Sequence, residues 1–308
     1  MSAGRFAPSP TATLHLGNLR TALVAWAAAR SAGSAFMVRI EDMDAAACRP
    51  EHERSALADL ERLGLAHDGP VLRQSERTEV YAAAIDQLIA DDLTYPCYCT
   101  RREVLAEAAA AVAAPHGRPP GAYVGTCRTL GAAARAEREA AGRRPSLRLR
   151  AEGAVVGFVD RLAGERLGEV DDFIVRRADG TPAYNLAGVV DDAAQGVREV
   201  VRGDDLLDTT PRQILLARLL GLDVPAHLHV PLVLGPDGER LAKRHGSVTL
   251  DDQLALGRTI GDIISLFAVS LGLAVPGEIL TVDDVAARFD VSRLTRHPWK
   301  LTAADLPG

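Results

Sequence analysis

Lysine is nearly missing from this chain. Of 35 cationic side chains only Lys243 and Lys300 are lysine, so 33 are arginine. A lysine inside the polar stretch "GERLAKRHGS" is therefore conspicuous. A surplus of positive charge is missing too: the formal net charge is −6, so no global field draws the chain to nucleic acid, and any such contact must use a local basic face. One arginine cluster could supply it, at Arg128, Arg135, Arg138, Arg143, Arg144, Arg148 and Arg150, although a solvated helix face explains it equally well. Long apolar runs are absent. The longest, Ile263 to Val275, is 13 residues between Asp262 and Pro276, too short for a bilayer. The first twenty residues show no basic start followed by an apolar stretch, so export is not expected and the reading is a cytoplasmic protein with no membrane partner. Neither G-x-G-x-x-G nor G-x-x-x-x-G-K-[ST] occurs, which removes support for a dinucleotide fold or a P-loop enzyme.

Cysteine is scarce but grouped. Cys97, Cys99 and Cys127 lie close in sequence and Cys48 stands apart. In a reducing compartment such a group reads as metal ligation before disulfide. Three thiolates leave a tetrahedral zinc one ligand short. Chemistry alone favours His116 as the fourth, because imidazole is a common zinc ligand.

What the chain does have is an alternation of strands and helices. "GRFA" reads as a first strand, then Leu16, Leu19, Leu23 and Trp26 recur at helical spacing until Gly33. "AFMVRIE" reads as a buried strand, with helices at about 50–63 and 75–92. This is the pattern of a parallel α/β sheet. From about Tyr95 the texture changes. Thr100 to Glu103 forms a capping box before an alanine-rich helix. Short strands are expected at "SLRLR", "VVGFVD" and "DFIVRR", the last turning through Ala178-Asp179-Gly180 into "PAYNLAG" as a further strand. The α/β pattern resumes with "REVVRG", the helix "TPRQILLARLLG" and the strand "HVPLVLG"; after about Leu250 the chain is mostly helical. At 308 residues, two or three folding units are expected.

The candidate chemistry starts at "PSPTATLHLGN". A helix N-terminus offers unpaired N–H groups and a positive dipole end to phosphate. Gly17 would let a ligand approach the backbone, His15 and Asn18 could donate to phosphate oxygens, and Pro8 and Pro10 would aim the loop. "RIEDMD" ends a strand with acids that could cap the next segment or hold an ammonium group. Arg240, Lys243, Arg244 and His245 crowd a loop after the turn "GPDG"; an ammonium there suits phosphates whose charge shifts during reaction.

Together, "RFAPSPTATLHLGNLRTAL", "RIEDMD", "YNLAGVVDDAAQGVREVVRGDDLL" and "RLAKR" resemble the catalytic core of glutamyl-tRNA synthetases, in four ordered blocks over about 250 residues. His15 to Asn18 falls on that family's HIGH motif and Arg240 to Arg244 on its KMSKS motif. The resemblance implies a class I synthetase-type, Rossmann-like parallel sheet with an inserted zinc-containing subdomain and a short helical C-terminal region. The corresponding bounds are 1–94 and 190–250 for the split catalytic domain, 95–189 for the insertion, and 251–308 for the helical region. It implies ATP-dependent activation of L-glutamate, with Mg²⁺ accompanying the nucleotide. Arg5, Phe6, Ala7, Pro8, Ser9, Glu41, Tyr184 and Arg202 would bind glutamate, Glu41 on its ammonium group. His15, Gly17, Asn18 and Lys243 would bind ATP, with His15 and Lys243 catalytic.

The sequence departs from the family at Asn18, Ala12, Arg240 and Ala242. The 64 residues after Arg244 are too few for the family's helical anticodon-binding part. That combination resembles the family's stand-alone paralogue, which attaches glutamate to the queuosine base in the anticodon of tRNA(Asp). Its C-x-C…Y-x₃-C pattern would make Tyr123 the fourth zinc ligand beside Cys97, Cys99 and Cys127. The implied partners are the tRNA(Asp) anticodon stem-loop, glutamate and ATP, with the protein acting as a monomer. A shortened glutamyl-tRNA synthetase charging the tRNA 3′ end is the alternative.

Overall fold

Ala3 to Phe6 is buried at every position, as a strand covered on both faces of a parallel sheet must be. In the computed structural model, which describes residues 2–111, 122–241, 245–246 and 248–302, this strand is β1. It leads into α1 (Leu16–Ser31), β2 (Ala35–Ile40), α2 (Pro50–Arg62), β3 (Leu72–Arg73) and α3 (Thr78–Ala90). A second group follows: β4 (Thr94–Cys97), α4 (Arg101–Ala111), α5 (Ala132–Ala140), β5 (Ser146–Leu149), the hairpin β6 (Val155–Asp160) and β7 (Gly164–Glu169), and β8 (Ile174–Arg176). The chain then returns through α6 (Tyr184–Ala194), β9 (Val197–Gly203), α7 (Thr210–Leu219), β10 (Ala226–Val230) and β11 (Val233–Leu234). It closes with α8 (Leu250–Ala255), α9 (Ile260–Leu271), α10 (Val282–Ala287) and β12 (Trp299–Lys300).

The main sheet runs β3-β2-β1-β9-β10-β6-β7. Every pairing is parallel except the β6–β7 hairpin. The chain builds outward from β1 through β2 and β3, then starts again on the other side of β1 with β9 and β10. The order therefore reverses between β1 and β9, where open α/β sheets bind ligands at their C-terminal edge.

Helix α1 is buried almost all round: Leu16, Leu19, Leu23 and Trp26 share the core with Ala22 and Ala25 to Ala29. The sheet covers one side and α9 and α10 the other, with Ile263, Phe267 and Leu271 in the same core. The 13-residue apolar run is thus a core helix, and Gly272 ends it at φ +81°, where a side chain would be strained. Arg20, itself buried, ties α1 to α9 and β10 by donating to Ser270 Oγ at 2.8 Å and to the Pro231 carbonyl at 2.9 Å.

Three expectations change. "PAYNLAG" is not a strand; only Pro182 bridges Arg176, and from Tyr184 the chain is α6, because Leu186, Ala187, Val189 and Val190 repeat at helical spacing on a buried face. "HVPLVLG" is split, since Pro231 has no N–H to continue β10; β11 pairs with β12 instead. Residues 95–189 contribute to two sheets: β4, β5 and β8 make a separate three-stranded sheet, while β6 joins the main sheet through the Asp160–His227 pair. Within that segment three of the seven clustered arginines have carboxylate partners or burial inside the protein. Arg128 pairs with Asp172 at 2.6 Å, Arg143 with Glu103 at 3.1 Å, and Arg148 is buried. Among the described residues no helix is long and apolar enough to cross a membrane.

Candidate active site

The prolines at the end of β1 use the one backbone group they retain. The Pro8 carbonyl accepts from Glu41 N at 3.0 Å and the Pro10 carbonyl from Arg49 N at 2.9 Å. These bonds hold the β1–α1 loop against the segment after β2. His15 is the N-cap of α1. Its Nδ1 accepts from Gly17 N at 3.1 Å and Asn18 N at 3.3 Å, and Asn18 Oδ1 accepts from His15 N at 3.2 Å. Leu16 N is taken by the Val248 carbonyl at 2.8 Å. The N–H groups expected to await a phosphate are therefore occupied. What the cap offers is the other imidazole nitrogen: with Nδ1 accepting, the proton of the neutral ring is on Nε2. Burial, then the nearby Arg240 charge, lowers the His15 pKa to about 4, so the neutral form is the one present near neutral pH. Gly17 also has a different reason from the one expected. A Cβ there would lie 3.0 Å from the His15 ring and 3.3 Å from Val233 Cβ.

A cavity of about 620 Å³ opens at the β1–β9 reversal, within the range of small-molecule sites. Arg5, Phe6, Ala7, Pro8, Ser9, Glu41, Tyr184 and Arg202 all line it, as do His15, Gly17 and Asn18. Arg5 leaves the end of β1 and donates to Asp192 Oδ1 at 3.1 Å and to the Val201 carbonyl at 3.0 Å. Arg39 donates to the same Asp192 oxygen at 2.7 Å and lies 3.4 Å from Glu41 Oε1. Burial pushes the Glu41 carboxyl up, with Arg39 and Arg5 pulling against it. A ligand cation there would favour the ionised form. Burial also opposes ionisation of Asp192, but Arg39 and Arg5 outweigh it and keep that carboxyl below the usual range. Arg202, at the end of β9, is buried, which lowers its pKa. Tyr184 begins α6 with its side chain on the cavity, 45% exposed.

The lip of the cavity carries Arg240, paired with Asp205 at 2.7 Å. The hairpin that presents Arg240 closes through Gly235 N to the Glu239 carbonyl at 2.7 Å and Leu241 N to the Val233 carbonyl at 3.1 Å. His245 Nε2 meets Asp237 Oδ2 at 2.9 Å, with its ring packed over Gly235. Ala242, Lys243 and Arg244 lie outside the described residues, as does His116.

The three grouped cysteines converge although they come from β4, the turn after it and the segment before α5. Their sulfurs lie within 4.8 Å of one another, Cys99 and Cys127 at 3.4 Å. Tyr123 Oη sits 3.4 Å from Cys97 Sγ and 3.8 Å from Cys99 Sγ, and accepts from Cys127 N at 2.8 Å. Thiolates about 2.3 Å from a tetrahedral zinc stand about 3.8 Å apart, so this donor set fits such an ion. Burial, with crowding by Cys127 and Cys97, pushes the Cys99 thiol up to about 12, so a cation would be needed to ionise the group together.

Sequence reasoning missed Asp192, Arg39, Asp205, Asp160 and His229. Each acts on a partner more than 25 residues away along the chain.

The family described as tRNA synthetases class I (E and Q), catalytic domain, matches residues 3–307. A glutamyl-Q tRNA(Asp) synthetase of Nocardia farcinica is 57% identical over 302 residues, spanning 97% of this chain and 93% of the relative. A glutamate–tRNA ligase of Acidithiobacillus ferrooxidans is 47% identical over 261 residues, spanning 80% of this chain and 53% of the relative. Among solved structures, a glutamate tRNA ligase from Elizabethkingia meningosepticum in complex with its amino acid superimposes with a TM-score of 0.83 at 26% identity, covering 99% of this chain and 68% of that one. With its β1–β9 cavity, its His15 cap and these relatives in agreement, the chain belongs to the class I tRNA synthetases of the E and Q type, in the glutamyl-Q tRNA(Asp) synthetase branch.

Proposed function

We propose that the protein activates L-glutamate with ATP and transfers it to the queuosine base in the anticodon of tRNA(Asp). The observation that carries this reading is the single cavity that joins a carboxylate-and-ammonium pocket to the His15 helix cap, in a chain 57% identical to a glutamyl-Q tRNA(Asp) synthetase.

In this reading Arg5 and Arg202 take up glutamate's negative charge, Glu41 its ammonium group, and Ser9 and Tyr184 complete the pocket with Phe6, Ala7 and Pro8. The guanidinium fork can grip a carboxylate in two bonds where lysine offers a point charge. The glutamate α-carboxylate attacks the α-phosphate in line; pyrophosphate leaves and the mixed anhydride remains. His15 Nε2–H and Lys243 would meet the phosphate charge that develops, with Gly17 and Asn18 lining the same end. Bound Mg²⁺ supplies neutralisation of that charge as it travels with the nucleotide. Cys97, Cys99, Tyr123 and Cys127 would hold a structural Zn²⁺ that braces the three-stranded unit within 95–189, which we assign to RNA contact. The catalytic domain would comprise 1–94 and 190–250, with β6 and β7 from within 95–189 added to its sheet, and the helical region 251–308; the enzyme works as a cytoplasmic monomer on the anticodon stem-loop.

The alternative, charging of the tRNA 3′ end, draws on the similarity to the Acidithiobacillus ligase. Incubation with ATP, labelled glutamate and tRNA from cells with and without queuosine separates the two. Label confined to queuosine-containing tRNA supports the proposal; equal labelling of both tRNA pools overturns it.

A further inference from the structure

Beneath Arg202 lies a buried chain of groups that reaches an acid on a different strand. Arg202 Nε donates to His229 Nε2 at 3.0 Å, and His229 Nδ1 stands 2.6 Å from Asp160 Oδ2. Exposure is 6% for Arg202, 1% for His229 and 1% for Asp160. Arginine can only donate, so His229 Nε2 must carry a lone pair and Nδ1 the proton. Asp160 is built to accept that proton's bond: its Oδ2 also takes His229 N at 3.1 Å, and its Oδ1 takes Leu162 N at 3.0 Å and Ala163 N at 2.7 Å. His227 stacks on the His229 ring, with centroids 6.1 Å apart and planes 4° from parallel.

The remaining partners of Arg202 share one property. Gln213 Oε1 at 2.7 Å, Thr210 Oγ1 at 2.8 Å and the Leu206 carbonyl at 3.3 Å are all uncharged. Arg5 is pinned by the Asp192 carboxylate and Arg240 by that of Asp205, whereas among the described residues Arg202 has no carboxylate partner. A carboxylate placed directly on Arg202 would cancel its charge and compete with an anionic ligand. A neutral imidazole does neither.

We infer that Asp160 and His229 are a positioning relay for Arg202: Asp160 holds the imidazole as its Nδ1–H tautomer, and Nε2 aims the guanidinium into the cavity without neutralising it. The inference rests on the reading of Arg202 as a glutamate contact. Because Asp160 belongs to β6, it also makes the amino-acid pocket depend on the β6–β7 hairpin at the edge of the main sheet.

The test is Asp160→Asn in the full chain, assayed by glutamate-dependent ATP–pyrophosphate exchange. Leu162 N and Ala163 N keep the amide oxygen on their side, so the NH₂ group faces His229. The ring must then accept at Nδ1 and carry its proton on Nε2, opposite the Arg202 donor. The KM for glutamate should rise about 10- to 100-fold, the size of one lost hydrogen bond to a charged group, with the KM for ATP within about twofold. A folded Asp160→Asn enzyme with unchanged glutamate KM overturns the relay. Should that variant not fold, His229→Gln and His229→Leu decide. Glutamine can put an oxygen near the Nε2 position and should retain most of the glutamate affinity, while leucine should lose about 10- to 100-fold. Equal effects of the two overturn the relay. Ring ¹⁵N shifts of His229 in the wild-type protein report the tautomer directly, and an Nε2–H ring would contradict it. Arg202→Ala separates the two possible failures. If it leaves the glutamate KM unchanged, the pocket assignment fails; if it raises KM while Asp160→Asn does not, the relay alone fails.

Discussion

His15 Nδ1 accepts a hydrogen bond from the backbone N–H of Gly17 at 3.1 Å, so the first turn of α1 and the orientation of the imidazole are one structural unit. A methyl group at position 17 would press on that ring at 3.0 Å and on Val233 at 3.3 Å. Gly17→Ala should therefore turn His15 away from its cap and lower the rate of ATP–pyrophosphate exchange about tenfold or more. The melting temperature should change little, because alanine's better helix propensity, about 1 kcal/mol, offsets part of the strain. Exchange at the wild-type rate would show that the ring's placement does not matter.

Arg240 and Asp205 form a second such relationship, across the cavity lip at 2.7 Å. The Arg240 side chain is 61% exposed, so the pair contributes under about 1 kcal/mol to stability. Asp205→Asn should leave urea unfolding unchanged within error while releasing Arg240 toward incoming phosphate. The KM for ATP should fall a few-fold at low salt, and the change should fade in high salt. A large loss of stability would mean that Asp205 has a structural duty the geometry does not reveal.

Acid should weaken the fold through its buried imidazoles. The His15 pKa is lowered by burial and Arg240 to about 4, and that of His227 by burial and Arg202 to about 3, both from 6.5. The unfolded chain then binds more protons than the folded one between about pH 6.5 and each folded value, so stability is complete above pH 6.5 and falls with pH through that window. For His15 the integrated loss is on the order of 3 kcal/mol. Urea midpoints measured from pH 7 to pH 4 should decline, and His15→Asn should flatten part of the slope. A midpoint constant over that range would contradict the burial account.

The sulfur cluster gives a prediction that does not depend on activity. Purified protein should carry about one zinc per chain. Cys127→Ser should remove most of it, and Tyr123→Phe should weaken retention against a chelator by about 10- to 100-fold if the phenol oxygen is the fourth ligand. Full retention in Tyr123→Phe would return the fourth position to another donor, such as His116.

Much of this architecture can be read from short-range pattern. The run from β1 to α3 is visible because apolar spacing and turn residues act locally, whereas Arg5, Glu41 and Arg202 come from the resemblance of their motifs to glutamyl-tRNA synthetases, and the structure places all three on one cavity. What escaped reading is what tertiary contact decides. Nothing near Val155 says that β6 will leave its own subdomain and pair with β10, and "PAYNLAG" reads equally well as strand until α6 buries Leu186 and Val190. The supports of the pocket are hidden for the same reason: Asp192 reaches Arg5 across 187 positions and Asp160 reaches His229 across 69.

The most direct measurement is the chemical position of transferred glutamate. The protein is incubated with ATP, labelled glutamate and purified queuosine-containing tRNA(Asp), and the product is digested to nucleosides. The account predicts label on the modified anticodon nucleoside and none on the 3′-terminal adenosine. Label on the terminal adenosine would contradict it.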